Sequence, residues 1–171
     1  GHLFIVYATL FITFVINAYN ITDGLDGLSG GLFIVLCLPI LLIIQNTNTS
    51  MLYLFLIGSI LSYLYFNISP ARYYYGDTGA FSIGILLATT ALIYNFSIPF
   101  LIMFGVFAID GVSSLIQWAS KWFRNGKKAF LIAPLHHHFE AKEWNESKIV
   151  MRFWLFGIIF AILGLFVYSL N

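Results

Sequence analysis

Apolar residues in this chain come in long runs, broken at intervals by short polar stretches. The runs are Leu3–Ile16, Leu28–Ile44, Met51–Phe66, Ala80–Tyr94, Ile98–Trp118 and Met151–Leu170. They are far longer than strands and approach the ~20 residues a helix needs to cross a bilayer. Several fall short of that length, and flanking Tyr and Asn residues extend them. The pattern predicts an all-α polytopic membrane protein with about six transmembrane helices, folded as a single integral-membrane domain over residues 1–171.

The connections alternate in character. Gln45–Ser50 and Asn95–Pro99 are short and uncharged, whereas Thr22–Gly27, Asn67–Thr78 and Ser120–Val150 are polar or charged. Arg72, Lys121, Arg124, Lys127, Lys128, Lys142, Lys148 and Arg152 all lie in or beside the connections that six alternating helices place on one side. The positive-inside rule makes that side cytoplasmic and puts both chain ends outside. Asp23, Asp26, Asp77, Glu140, Glu143 and Glu146 share the basic side. Function is therefore expected at the cytoplasmic surface of a plasma (inner) membrane.

Composition agrees. The chain is 60% hydrophobic, 19% aromatic and 9% charged, against about 25% charged in a soluble domain. Its mean hydropathy is +0.91. The net charge is +1, and the basic residues form no dense tract of the kind that binds nucleic acid. A lone cysteine, Cys37, excludes an intramolecular disulfide. No signal-peptide pattern opens the chain. It begins at Gly1 inside an apolar run, which reads as the C-terminal part of something longer.

Three polar blocks carry candidate chemistry. The first is Asn17-Ala-Tyr-Asn20-Ile-Thr-Asp23-Gly24-Leu25-Asp26-Gly27. Carboxylates at a membrane helix centre cost about 2.5–3.5 kcal/mol each on insertion scales, so two of them between apolar runs point to a ligand. If the first helix continues through the block, Asn20, Asp23 and Asp26 stand at three-residue spacing on one face. Such a ridge suits a hard cation with a phosphate, since Mg²⁺ takes one or two carboxylates plus substrate oxygens. An ordinary Asx turn at a helix end is the bland alternative.

The second block is Tyr73-Tyr74-Tyr75-Gly76-Asp77-Thr78-Gly79, at the entry to the fourth run. Asp77 suits a helix N-cap, and the same carboxylate is placed to bind a cation bridging a phosphate, with aromatics upstream to stack on a base. The third is Pro134-Leu135-His136-His137-His138-Phe139-Glu140. Consecutive histidines splay apart in regular structure, so a zinc site lacks proper spacing. Phosphate contact or proton transfer fits them better, beside the bland reading of a solvated loop. Asp110, with Ser113, Ser114 and Gln117, forms a polar stripe inside the fifth run that must face protein or a cavity, and helix-to-helix glue is the favoured role for Asp110.

These blocks, in this order, resemble the polyprenyl-phosphate N-acetylhexosamine-1-phosphate transferases. The His136–Glu140 block, followed by Lys148-Ile-Val-Met-Arg152-Phe-Trp154, is similar to the phospho-N-acetylmuramoyl-pentapeptide transferase branch of that superfamily. The resemblance runs over essentially the whole chain but over only the second half of the family's ten-helix fold. It implies Mg²⁺-dependent transfer of phospho-MurNAc-pentapeptide from its UDP carrier to undecaprenyl phosphate, releasing UMP and forming lipid I. It further implies that Asp77 binds Mg²⁺ and that Asp23, supported by Asn20, serves the substrate phosphates. His136 and His137 join these as reaction-site residues. Gly24, Leu25, Asp26, Asn67 and Tyr74 match the uridine pocket, with Tyr74 on the uracil, and Gln117 and His138 are substrate contacts. A homodimer is compatible with the pattern.

There are departures. Ala80 stands where the family usually has Ser, and Tyr74 where Phe is usual. The family's N-terminal half supplies an adjacent Asp pair and Lys residues that nothing here replaces, so the chain by itself is expected to be inactive. A sister enzyme loading GlcNAc-1-phosphate is the nearest alternative. A transporter or channel would spread charge along several spans at mid-depth, whereas here the charges gather at one face.

Overall fold

The computed structural model describes residues 1–45 and 48–170, so part of the Gln45–Ser50 connection lies outside the described residues. Among the described residues every regular element is helical: α1 (His2–Thr22), α2 (Leu28–Ile43), α3 (Asn48–Asn67), α4 (Gly76–Ile93), α5 (Ser97–Met103), α6 (Gly105–Phe123), α7 (Leu135–Glu140) and α8 (Glu146–Ser169). The helix α1 packs along α4 and α6, α2 lies between α3 and α8, and α5 packs on α8. Much of the apolar surface of α1, α3 and α8 faces outward, including Leu3, Phe55, Tyr65, Leu155 and Ile162. That is the arrangement of helices solvated by lipid rather than water.

Four helices, α1, α3, α4 and α8, are long and apolar enough to cross a membrane. The expected six differ from this at two places. The run Leu28–Ile44 forms a helix of 16 residues, about 24 Å at 1.5 Å per residue against the ~30 Å hydrocarbon core. The run Ile98–Trp118 is two helices, α5 and α6, meeting at 80°. A stack of rings fills the inside of that bend. Phe100 lies on Phe104 at 5.3 Å, Phe104 on Phe107 at 4.6 Å, and Phe107 on Tyr19 of α1 at 5.0 Å between centroids. All four side chains are buried. If the bent pair acts as one crossing unit, the chain has up to five spans.

The contact of α2 with α8 depends on close approach. Trp154 lies flat against Gly31, where an added Cβ would come to 2.0 Å from the indole. The indole N–H reaches the carbonyl of Leu28 at 3.4 Å. Trp154 thus packs between helices, whereas Trp118 and Trp122 are exposed.

Candidate active site

The first helix passes through Asn17 and Asn20 and stops at Thr22, with Asp23 as its C-cap. Asn20 and Asp23 therefore stay close to one face. Asp26 falls in the turn beyond and leaves the expected ridge. The break has visible causes: the Asp23 N–H folds back to the Asn20 carbonyl, and the Asp26 N–H is held by Glu146 Oε1 at 2.8 Å.

On the α1–α4 side the first two blocks meet. The Asn20 carboxamide donates to Asp77 Oδ1 at 3.0 Å. Asp77 sits in the first turn of α4, two positions past the N-cap, which is Tyr75 rather than Asp77 as the sequence suggested. There the carboxylate faces the positive end of the helix dipole and is exposed. Asp23 accepts from the Ser29 hydroxyl. With that proton given to the carboxylate, the neighbouring hydroxyls must be ordered behind it. Tyr75 donates to Ser29 at 2.5 Å, and Tyr19 donates to Tyr75 at 3.1 Å. Burial pushes the Asp23 carboxyl above the ordinary carboxylate range, and the negative charge of Asp77 adds to the rise against the pull of Ser29 and Tyr75. Burial, followed by the charge of Asp23, also raises the Tyr75 phenol.

Asp26 is committed elsewhere. Its Oδ2 accepts the Ala71 N–H at 2.8 Å and its Oδ1 the Tyr74 hydroxyl at 3.1 Å. That bond to Asp26 is the main cause of the upward shift of the exposed Tyr74 phenol. Asn67 ties the two loops together, accepting from the Gly27 N–H at 3.0 Å and donating to the Tyr73 carbonyl at 2.9 Å. Gly24 is exposed, whereas the Leu25 side chain turns into the core, so only its backbone can face a ligand. The expected ridge of Asn20, Asp23 and Asp26 is thus replaced by two sets: Asn20, Asp23 and Asp77, and beside it Asp26 with Tyr74.

The histidine run forms the short helix α7, in which the His136 and His137 rings meet edge to face at 4.2 Å between centroids while His138 packs on Phe130 at 5.7 Å. His136 is fully buried. Its Nδ1 pairs with Asp110 Oδ2 at 2.6 Å, and its N–H reaches Asp110 Oδ1 at 3.1 Å. His137 is partly exposed and contacts Glu140. His138 accepts the Leu131 N–H on Nδ1 at 3.1 Å. Desolvation and then the charge of Lys142 hold the His138 imidazole below its usual range. Gln117 is nearly buried, and its carboxamide is engaged by the loop. It accepts from Ala129 and Phe130, both at 2.9 Å, and donates to the Phe130 carbonyl at 3.0 Å.

Among the described residues no three His, Cys, Asp or Glu side chains converge as a complete metal cage. The Asp23–Asp77 pair could hold a divalent cation with fewer protein ligands: it offers two carboxylates on a partly open face, Asp23 raised by burial and further by the charge of Asp77, with room for water or phosphate oxygens as the remaining ligands. A cation there would relieve the repulsion the pair now carries.

The model of the family described as glycosyl transferase family 4 matches residues 1–95, the stretch that holds both the Asn17–Gly27 and the Gly76–Gly79 blocks. The chain belongs to this family. Curated relatives extend the likeness through the histidine helix to α8. Three proteins named phospho-N-acetylmuramoyl-pentapeptide-transferase match it, from Borrelia hermsii (39% identical over 96% of this chain and 52% of the relative), Solibacter usitatus (36%, 95% and 48%) and Protochlamydia amoebophila (38%, 96% and 46%). The chain spans about half the length of these relatives.

The sequence pattern gave no role to Ser29, which completes the Asp23 network, or to Glu146, which anchors the Asp26 turn, and offered Tyr75 only as an aromatic for stacking on a base, whereas it joins the Asp23 network. Asp110, expected as glue between helices, joins α6 to α7 through His136.

Proposed function

We propose that this chain is the C-terminal half of a ten-helix transferase that moves phospho-MurNAc-pentapeptide from its UDP carrier to undecaprenyl phosphate, giving lipid I and UMP. The observation that carries the reading is the Asn20–Asp77 hydrogen bond, which joins the two family blocks on one face beside Asp23. The relatives' names and the continuation of the match over the His136–Glu140 block favour the muramoyl substrate over the GlcNAc-loading sister.

Phosphoryl transfer depends more on alignment and charge neutralisation than on covalent help from the protein. An Mg²⁺ ion held by Asp77, with Asp23 beside it, would supply the charge neutralisation for the diphosphate. Asn20 orients Asp77 and leaves its other oxygen free of that bond. The hydroxyl chain Tyr19–Tyr75–Ser29 feeds hydrogen bonds to Asp23 and fixes its rotamer. The Asp26–Tyr74 pair, braced by Asn67, forms the side against which uridine rests, with the Tyr74 ring on the uracil. His137, with His136 beneath it, faces the phosphates and the peptide-bearing sugar, while Gln117 and His138 shape the mouth by holding the 129–131 loop. In this reading the short α2 and the bent α5–α6 pair each complete a crossing, so that six alternating spans put the charged loops in the cytoplasm and both chain ends outside the plasma membrane, and the lipid phosphate meets the site at the inner leaflet.

The test is transfer by the whole protein in detergent or nanodiscs, with UDP-MurNAc-pentapeptide set against UDP-GlcNAc and undecaprenyl phosphate as acceptor. Lipid I and UMP from the first donor alone is the expected result. Preference for UDP-GlcNAc would reassign the chain to the sister activity. The 171-residue chain by itself is expected to give no lipid I.

A further inference from the structure

The carboxylate of Asp110 stands inside α6, fully buried, and both of its oxygens accept hydrogens from one residue. Oδ1 takes the backbone N–H of His136 and Oδ2 faces Nδ1 of the same ring at 2.6 Å. A carboxylate is acceptor-only, so the hydrogen on this contact belongs to Nδ1. The other ring nitrogen, Nε2, is buried without a hydrogen-bond partner. It lies directly under Gly24, where an added Cβ would come to 2.5 Å from it. Gly24 is exposed and adjoins Asp23. Orphaned buried polar atoms are rare in native proteins, and this one is aimed at the face that carries the site.

We propose that Asp110 is the positioning residue for His136. It holds the imidazole in the Nδ1–H tautomer, so that the ring turns an unprotonated Nε2 toward the Asp23–Gly24 stretch. There Nε2, closed off under Gly24, does not meet the substrate itself but sets the position of the Asp23–Gly24 turn from below. The inference rests on the proposed reading of that face as the transfer site. It assigns Asp110 a part in orienting chemistry and not merely in joining α6 to α7. The neighbouring His137, whose ring lies 4.2 Å from that of His136, has no such anchor and contacts Glu140 instead.

Asp110→Asn separates the two roles. Asparagine offers one oxygen and one NH₂. If the His136 N–H keeps the oxygen, the NH₂ faces Nδ1, which must then accept, and the ring changes to the Nε2–H tautomer. Histidine-selective ¹⁵N NMR of the full chain in nanodiscs reads this directly, with His136→Gln used to assign the His136 signals. Nδ1–H is expected in the unsubstituted chain and Nε2–H in Asp110→Asn. In the whole protein kcat should fall about 10²-fold with KM changed far less, because an Nε2–H pressed under Gly24 shifts the Asp23–Gly24 turn and misplaces the reacting groups. Nε2–H in the unsubstituted chain overturns the proposal even if Asp110→Asn fails to fold. A folded Asp110→Asn with an unchanged tautomer, or a changed tautomer with undiminished kcat, overturns it as well. Absence of transfer in the unsubstituted whole protein would instead strike the functional reading and leave the tautomer assignment standing.

Discussion

Asp77 and Asp110 are the same side chain in opposite settings. Asp77 is exposed at the first turn of α4 and receives one hydrogen bond, from Asn20. Asp110 is fully buried in α6, with both oxygens taken by His136. The first keeps coordination capacity and lies next to a second carboxylate, so a cation improves its surroundings. The second has both oxygens satisfied by hydrogen bonds and is sealed from solvent, so its influence can pass only through the ring it holds. Location, more than residue type, divides the work. The two regions touch at Gly24, which follows Asp23 and covers His136.

The sharpest way to break the contrast is to remove the carboxylate on each side. In the whole protein, Asp77→Asn should lower turnover roughly 10³-fold or more, because charge neutralisation at the phosphate is worth several kcal/mol. Steady-state UMP release measures it, and near-normal rates would remove Asp77 from the site. Asp110→Asn should cost less and act through the tautomer of His136.

A smaller effect is expected where the regions meet. Gly24→Ala places a methyl against Nε2 of a ring that Asp110 prevents from retreating. The strain should amount to about 1–3 kcal/mol, read as a lower thermal midpoint in detergent. An unchanged midpoint would mean that the His136 ring is not pinned.

The carboxylate pair also makes a pH prediction. Asp23 has a raised carboxyl in the folded chain, so the native state binds its proton more tightly than the unfolded one. Its stabilising contribution is then complete at acid pH, below the unfolded value, and is lost as pH rises through the raised folded value. Asp23→Asn should remove this slope, leaving the variant relatively more stable at neutral pH and the advantage shrinking on acidification. Midpoints of the two proteins that stay parallel across the acid range would contradict the shift. Smallest of all is Tyr74→Phe, which removes an exposed hydroxyl bonded to Asp26 at 3.1 Å. Little or no change in the thermal midpoint is expected for a bond exposed to solvent, and a drop as large as that of Gly24→Ala would show that the 68–75 loop depends on it.

What the sequence disclosed follows from how each feature is encoded. Helical class and the acidic character of the site are local properties, written in apolar runs and in Asn17–Gly27 and Gly76–Gly79, and both were legible. The 80° break at Phe104 was not, because the polar residues of Ile98–Trp118 begin only at Asp110, well past it, and the ring stack at the bend is completed by Tyr19 from a helix far away in sequence. Likewise the end of α1 at Thr22 depends on Glu146, 120 residues from Asp26, taking the turn's N–H. The separation of Asp26 from Asp23 and Asp77 has the same origin, since its partners Ala71 and Tyr74 come from another loop. Asp110 was visible as an oddity, but its partner emerged only when α7 folded against α6.

The central claim is that Asp77, with Asp23 beside it and without Asp26, forms the cation-binding face. Titration of the purified chain with Mn²⁺ as a paramagnetic stand-in for Mg²⁺, followed by electron paramagnetic resonance, tests it most directly. The account predicts that Asp77→Asn loses at least about tenfold in affinity, equal to ~1.4 kcal/mol, while Asp26→Asn binds the ion like the unsubstituted chain. Equal binding by Asp77→Asn, or an equal loss in Asp26→Asn, would contradict it.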